Sequence, residues 1–183
     1  MSKRKAGPRL GRRYAFVKRR LLRLPQQSHS IEVDFCPLPD IVPDESGFWL
    51  GLVVAHDTGT ILTTSVLAAP PTAEDAADIM AGAMECSYFS AASRPSRLLL
   101  RDNPSWEAIY PWLEQLGIEA LVTEDLRHWD AKADELIDWM RKRWRPLPDF
   151  LTGFHEELGI FTTLGELRSL TYSFLYFEQT KDQ

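Results

Sequence analysis

The densest chemistry in this chain of 183 residues is cationic. Lys3, Arg4, Lys5, Arg9, Arg12, Arg13, Lys18, Arg19, Arg20 and Arg23 all precede the first acid, Glu32. Residues 1–31 therefore carry +10 and the remainder −15, although the whole chain nets only −5. A block of that kind repels itself and stays extended until a polyanion neutralises it. Its chemistry is the neutralisation of nucleic-acid phosphates without regard to sequence. The plainer alternatives are a solubilising tail, or an arm laid against the protein's own acidic body. A second cationic group, Arg141-Lys142-Arg143-Trp144-Arg145, interleaves an aromatic ring that could stack a base. Its plainer reading is that the cations complement a helix C-terminus while Trp144 fills the core.

Other motifs carry less. Asp57-Thr58-Gly59 spells the aspartic-protease triplet, but that chemistry needs a second carboxylate to share a proton. No partner strand for it follows, and a hairpin turn explains the triplet. His29, His56, His128 and His155 have no metal-ligand spacing; His56 reads as a turn residue rather than a base. Cys36 and Cys86 form neither a disulfide framework nor a zinc site, and suit a reducing cytosol as small core fillers. The ten glycines are dispersed, so there is no phosphate-cradling loop. A hydrophobic fraction of 44% excludes global disorder, and no uncharged apolar run approaches the roughly 18 residues of a membrane span. Tyr14-Ala-Phe-Val17 is too short for a secretory h-region. An Arg-rich, acid-free start also suits an organelle transit peptide, although this one is poor in Ser.

These groups must be positioned by a recognisable series of elements. Ile31 to Cys36 alternates apolar and polar residues, the mark of a half-buried strand. Prolines 37, 39 and 43 break it. Phe48 to Ala55 and Ile61 to Leu67 make a hairpin, with Gly59 in its turn for positive φ. Thr72 with Asp75 forms an approximate capping box for a helix whose face is Ala76, Met80, Ala83, Met84 and Ser87. Arg97 to Asp102 reads as a central strand. Ser105 to Leu116 is helical, with Pro111 forcing a kink or a late start. Glu119 to Thr123 is a further strand, Asp130 to Trp144 the next helix, and two short helices follow at about 149–157 and 164–178. Strand–helix–strand units after a hairpin predict a mixed α/β sheet with a parallel half, covered by helices.

That order, with Asp34 on the first strand and Asp102 ending the fourth, resembles the ribonuclease H-like fold in its integrase/transposase-core branch. Three stretches carry the resemblance, which covers residues 31–144: Ile31-Glu-Val-Asp34-Phe-Cys-Pro-Leu-Pro, the hairpin from Trp49 to Leu62, and Leu98-Leu-Leu-Arg-Asp102-Asn103. The stretch Arg94 to Asp125 is also similar to a bacterial domain family of unknown function, which implies no activity. The integrase resemblance implies two-metal phosphoryl transfer, with carboxylates converging on Mg²⁺ or Mn²⁺. Asp34 and Asp102 would be two of them, and the third would come from the helix after the last strand. There Ala133, Ile137, Met140 and Trp144 centre the buried stripe, Glu135 points towards water, and Asp134 is the better candidate. Asp138, three residues before Arg141, fits a surface ion pair. Asn103-Pro104-Ser105 departs from the small polar or Gly-rich signature of family cores.

The sequence thus predicts a disordered basic arm over 1–30, a ribonuclease H-like α/β domain over 31–145 and a helical appendage over 146–183. The favoured function is a diverged, non-catalytic module that binds nucleic acid or a protein partner through Lys3, Arg4, Lys5, Arg12, Arg13, Lys18, Arg19, Arg20 and Arg23. It needs no cofactor. The alternative is a nuclease or strand-transfer enzyme using Mg²⁺ or Mn²⁺ on Asp34, Asp102 and Asp134. The apolar stripe from Phe150 to Phe177 would pack on the domain or on a second copy.

Overall fold

A computed structural model describes residues 10–38, 47–86 and 91–143. The expected C-terminal helices, Trp144, Arg145, His155 and the basic residues Lys3, Arg4, Lys5 and Arg9 lie outside the described residues.

Five strands form one sheet: β1 (Gln26–Pro37), β2 (Trp49–Ala55), β3 (Ile61–Leu67), β4 (Arg94–Leu100) and β5 (Glu119–Val122). Their order across the sheet is β3-β2-β1-β4-β5. The β1–β2 and β2–β3 pairs are antiparallel, whereas β4 is parallel to both β1 and β5. The mixed sheet with a parallel half is therefore present, and the strands leading to Asp34 and Asp102 are neighbours.

Helices cover both faces. On one lie α1 (Arg13–Leu21), α2 (Ala73–Glu85) and α3 (Tyr110–Gln115), packed on Ile31, Val33 and Phe35 of β1 and on Leu98 and Leu100 of β4. The other face carries α4 (Arg127–Arg143), whose Trp129, Ala133, Leu136 and Met140 pack on Leu50, Leu52 and Val54 of β2. Covered on both faces, β1 is buried from Ile31 through Phe35, including Glu32 and Asp34. It is not the half-solvated strand that its alternation predicts. Its polar positions sit under α4 instead of in water.

Local chemistry explains the boundaries. Thr72 and Asp75 close a complete capping box at the start of α2. Gly59 turns the β2–β3 hairpin at φ 69°, with Thr58 Oγ1 donating to Thr60 Oγ1 at 2.8 Å, so Asp57-Thr58-Gly59 is turn structure. Pro111 gives α3 its late start, after a short 3₁₀ turn over Pro104–Trp106.

The largest difference from expectation is α1. Residues 13–21 form a helix on the domain rather than part of an extended arm. Tyr14 and Leu21 are buried, with Val17 packed beside them, an apolar stripe at spacing three and four inside the basic block. The repulsion that would extend the block is cancelled by acids of α2. Arg13 meets Asp78 at 2.7 Å and Glu74 at 3.6 Å, and Arg20 meets Glu85 at 2.9 Å. Tyr14 donates its hydroxyl to Asp78 at 2.9 Å, and burial first, then that bond, push its pKa up.

Gly51 on β2 stands opposite Phe35 of β1 and under Ile79 of α2. A Cβ there would run into Cε1 of the Phe35 ring and stand 3.1 Å from Cδ1 of Ile79. Gly51→Ala is expected to lower the unfolding free energy by about 2 kcal/mol through overpacking. Urea denaturation checks it, and an unchanged midpoint would mean that Phe35 yields freely.

Candidate functional site

The end of the sheet where a ribonuclease H-like site would form is built from the C-terminal ends of the neighbouring interior strands β1 and β4 and the first turns of α4. Ser30, Ile31 and Glu32 pair with Arg97, Leu98 and Leu99. Two residues further along the same register, Asp34 comes abreast of Arg101. The residue beside Asp34 is therefore Arg101, and Asp102 is one position past it. A shift of one residue along a strand reverses the face on which a side chain stands.

Arg101 spans two carboxylates. Its Nη1 donates to Asp34 Oδ2 at 2.6 Å, and its Nη2 donates to both Asp130 oxygens at 2.7 Å. The guanidinium carbon lies 5.6 Å from the ring centre of Trp129, a cation–π contact that also fixes its plane. Burial opposes the Arg101 charge, but the hydrogen bonds it donates to Asp130 and Asp34, with their negative charges, outweigh it and its pKa rises. Burial raises the Asp34 pKa; the Phe35 backbone N–H and Arg101 pull it back only in part.

The three acids expected to converge form no metal-holding group among the described residues. Asp34 and Asp134 lie on the α4 side, where both act on the Cys36 thiol, which burial first of all pushes up to about 12. Asp102 is exposed past the end of β4, and its charge acts on Tyr110 at the start of α3. The turn after it is capped by the side chain of Asn103, which accepts from Ser105 N at 2.9 Å. Asp134 is exposed, and Glu135, its side chain partly open to water, pairs with Lys132 at 2.8 Å. Asp138 makes the expected surface pair with Arg141, at 3.6 Å. Among the described residues no group of three or more His, Cys, Asp or Glu side chains could hold a metal ion. The carboxylates that a magnesium ion would need are directed instead onto a guanidinium, so the described residues do not fit a two-metal centre.

Two carboxylates that matter do not stand out in the sequence pattern. Asp130 reads there only as the start of a helix. Glu32, fully buried, accepts from Trp129 N at 2.7 Å and lies 2.6 Å from His56 Nδ1. It thereby satisfies an N-terminal amide of α4 with a charge that the helix end favours. The signal was present: Glu32 shares its pleat with Asp34 and stands diagonal to the end of β2. His56 is also edge-on to His128, with ring centres 5.9 Å apart.

The basic residues of α1 divide as well. Arg13 and Arg20 are held by the acids of α2, and Lys18 donates to Gln115 at 2.6 Å. Arg12, Arg19 and Arg23 are exposed and make no ion pair among the described residues.

The profile of the DUF6930 family, described as a domain of unknown function, matches residues 17–137. No curated protein matches the chain. Among solved structures, the chain is similar to a chain of the simian T-cell lymphotropic virus intasome in complex with PP2A regulatory subunit B56 gamma. That match has a TM-score of 0.53 and 13% identity, over 81% of this chain and 50% of the other. This chain thus spans about half the length of that relative. It is also similar to the HTLV-2 integrase catalytic core domain in complex with magnesium (dimeric form), with a TM-score of 0.50 and 11% identity, over 79% of this chain and 85% of the other. Likeness at such identity establishes the fold, which is ribonuclease H-like.

Proposed function

The chain belongs to the DUF6930 family, and from its ribonuclease H-like sheet and basic N-terminal segment we propose that it is a non-catalytic module that binds nucleic acid. The observation that supports the non-catalytic part of the reading is Arg101. Its guanidinium, 2.6 Å from Asp34 and 2.7 Å from Asp130, supplies the positive charge that an ion would bring to these acids in a nuclease. It fixes both carboxylates in hydrogen bonds, so they are spent on structure.

Binding falls to the cations left over. Lys3, Arg4, Lys5 and Arg9 in the sequence precede Arg12, Arg19 and Arg23 on the open side of α1, and a polyanion is the ligand that such a series neutralises.

The test is a salt titration. Wild type should bind a labelled oligonucleotide with an affinity that falls steeply as salt rises, because each neutralised phosphate releases counterions. Deleting residues 2–9 removes four cations and leaves the buried residues of α1 in place. It should flatten the logarithmic salt slope by about 3, at somewhat under one unit per phosphate contact. An unchanged slope after the deletion, or no binding by wild type in low salt, would refute the reading.

A further inference from the structure

We propose that the outward face of α1, with the groove between α1 and α3, is a binding surface for single-stranded nucleic acid. The inference rests on the nucleic-acid reading above and names its site and strand class.

The helix sorts its own residues. Tyr14 and Leu21 enter the core, and Arg13, Arg20 and Lys18 are tied to α2 and α3. Ala15, Phe16, Arg19 and Leu22 remain exposed, with Arg12 at the N-cap and Arg23 in the turn after the helix. At 3.6 residues per turn Arg12, Phe16 and Arg19 fall within a wedge of about 60°. Phe16 in that wedge is 67% exposed, costly for an aromatic ring with nothing to cover. The Arg19 guanidinium carbon lies 5.8 Å from the Phe16 ring centre, so ring and cation make one flat, positive platform. Beside it runs a groove of about 430 Å³ lined by Arg12, Ala15, Lys18, Pro111, Trp112 and Gln115. Arg12 lines the groove and stands one turn before Phe16 on the same side of the helix.

Cations interleaved with an exposed aromatic ring recognise a chain of phosphates carrying free π-faces. A duplex offers the phosphates but keeps its bases stacked inside, so Phe16 would gain nothing from it. A lipid surface would take the apolar stripe of an amphipathic helix, and that stripe, Tyr14, Val17 and Leu21, is already packed in the domain.

The test measures fluorescence anisotropy with a labelled single-stranded oligonucleotide and a duplex of equal length, at about 50 and about 200 mM salt. Phe16→Ala, whose fold is checked by circular dichroism, should weaken single-strand binding about tenfold and leave duplex binding unchanged. Arg12→Ala, Arg19→Ala and Arg23→Ala together should weaken both ligands and flatten the salt slope. If wild type binds and Phe16→Ala matches it on both ligands, this surface is not the site, while the broader reading stands on residues 3–9. If wild type binds neither oligonucleotide, both fall. Phe16-dependent binding to phosphatidylserine vesicles without oligonucleotide binding would assign the face to lipid and overturn the proposal.

Discussion

Replacing Arg101 by methionine is expected to destabilise the domain by about 3 kcal/mol at neutral pH, the usual cost of leaving a buried carboxylate without its partner. For a chain of this size that is a fall in Tm of about 6–12 °C. The Asp34 side chain is only 11% exposed, so water cannot take over the charge. The effect has a pH signature. Burial already raises the Asp34 pKa, with Arg101 among the groups that restrain it, so removing Arg101 raises it further. A carboxyl whose folded-state pKa exceeds its unfolded value holds its proton more tightly when folded, and stability then falls as pH rises between the two values. The deficit is therefore largest above the folded pKa and shrinks as pH falls towards the ordinary value of 3.8. Adding Asp34→Asn to Arg101→Met removes the stranded charge and should recover most of the loss. Urea unfolding at about pH 7 and about pH 5 measures both effects. A deficit that is equal at the two pH values and is not recovered in the double variant would mean that Arg101 acts through packing alone.

Glu32→Ala should be comparably damaging, at about 3 kcal/mol, because it leaves the buried Trp129 N–H without an acceptor and opens a cavity under α4. Glu32 has no exposed surface and holds α4 to the β1–β2 pair through Trp129 N and His56. Glu32→Gln keeps the length and one acceptor oxygen, and should cost about 1 kcal/mol. Denaturant midpoints for the two variants decide it. Equal, small effects would show that α4 docks by its apolar stripe without the carboxylate.

Much of the fold could be read from residue patterns. The hairpin around Gly59, the Thr72–Asp75 cap, the late start forced by Pro111 and the strand–helix–strand order each follow from local chemistry, which acts within a few residues. What could not be read depends on register between distant segments. Alternation along Ile31 to Cys36 marks two faces but does not say that α4 covers the polar one. Asp102 and Arg101 are adjacent in sequence, and only the β1–β4 register decides which of them stands beside Asp34. The charge count of the first 23 residues hid a helix, because Tyr14, Val17 and Leu21 are sparse among cations whose acidic partners lie some sixty residues on.

Cleavage of labelled single-stranded and duplex oligonucleotides in the presence of Mn²⁺, by wild type and by Asp34→Asn, tests the role of the Asp34–Arg101–Asp130 bridge most directly. If the bridge holds these acids in structure, both proteins leave both substrates intact under conditions in which wild type is bound to them. Cleavage by wild type that is lost in Asp34→Asn would contradict this and return Asp34 to a catalytic role.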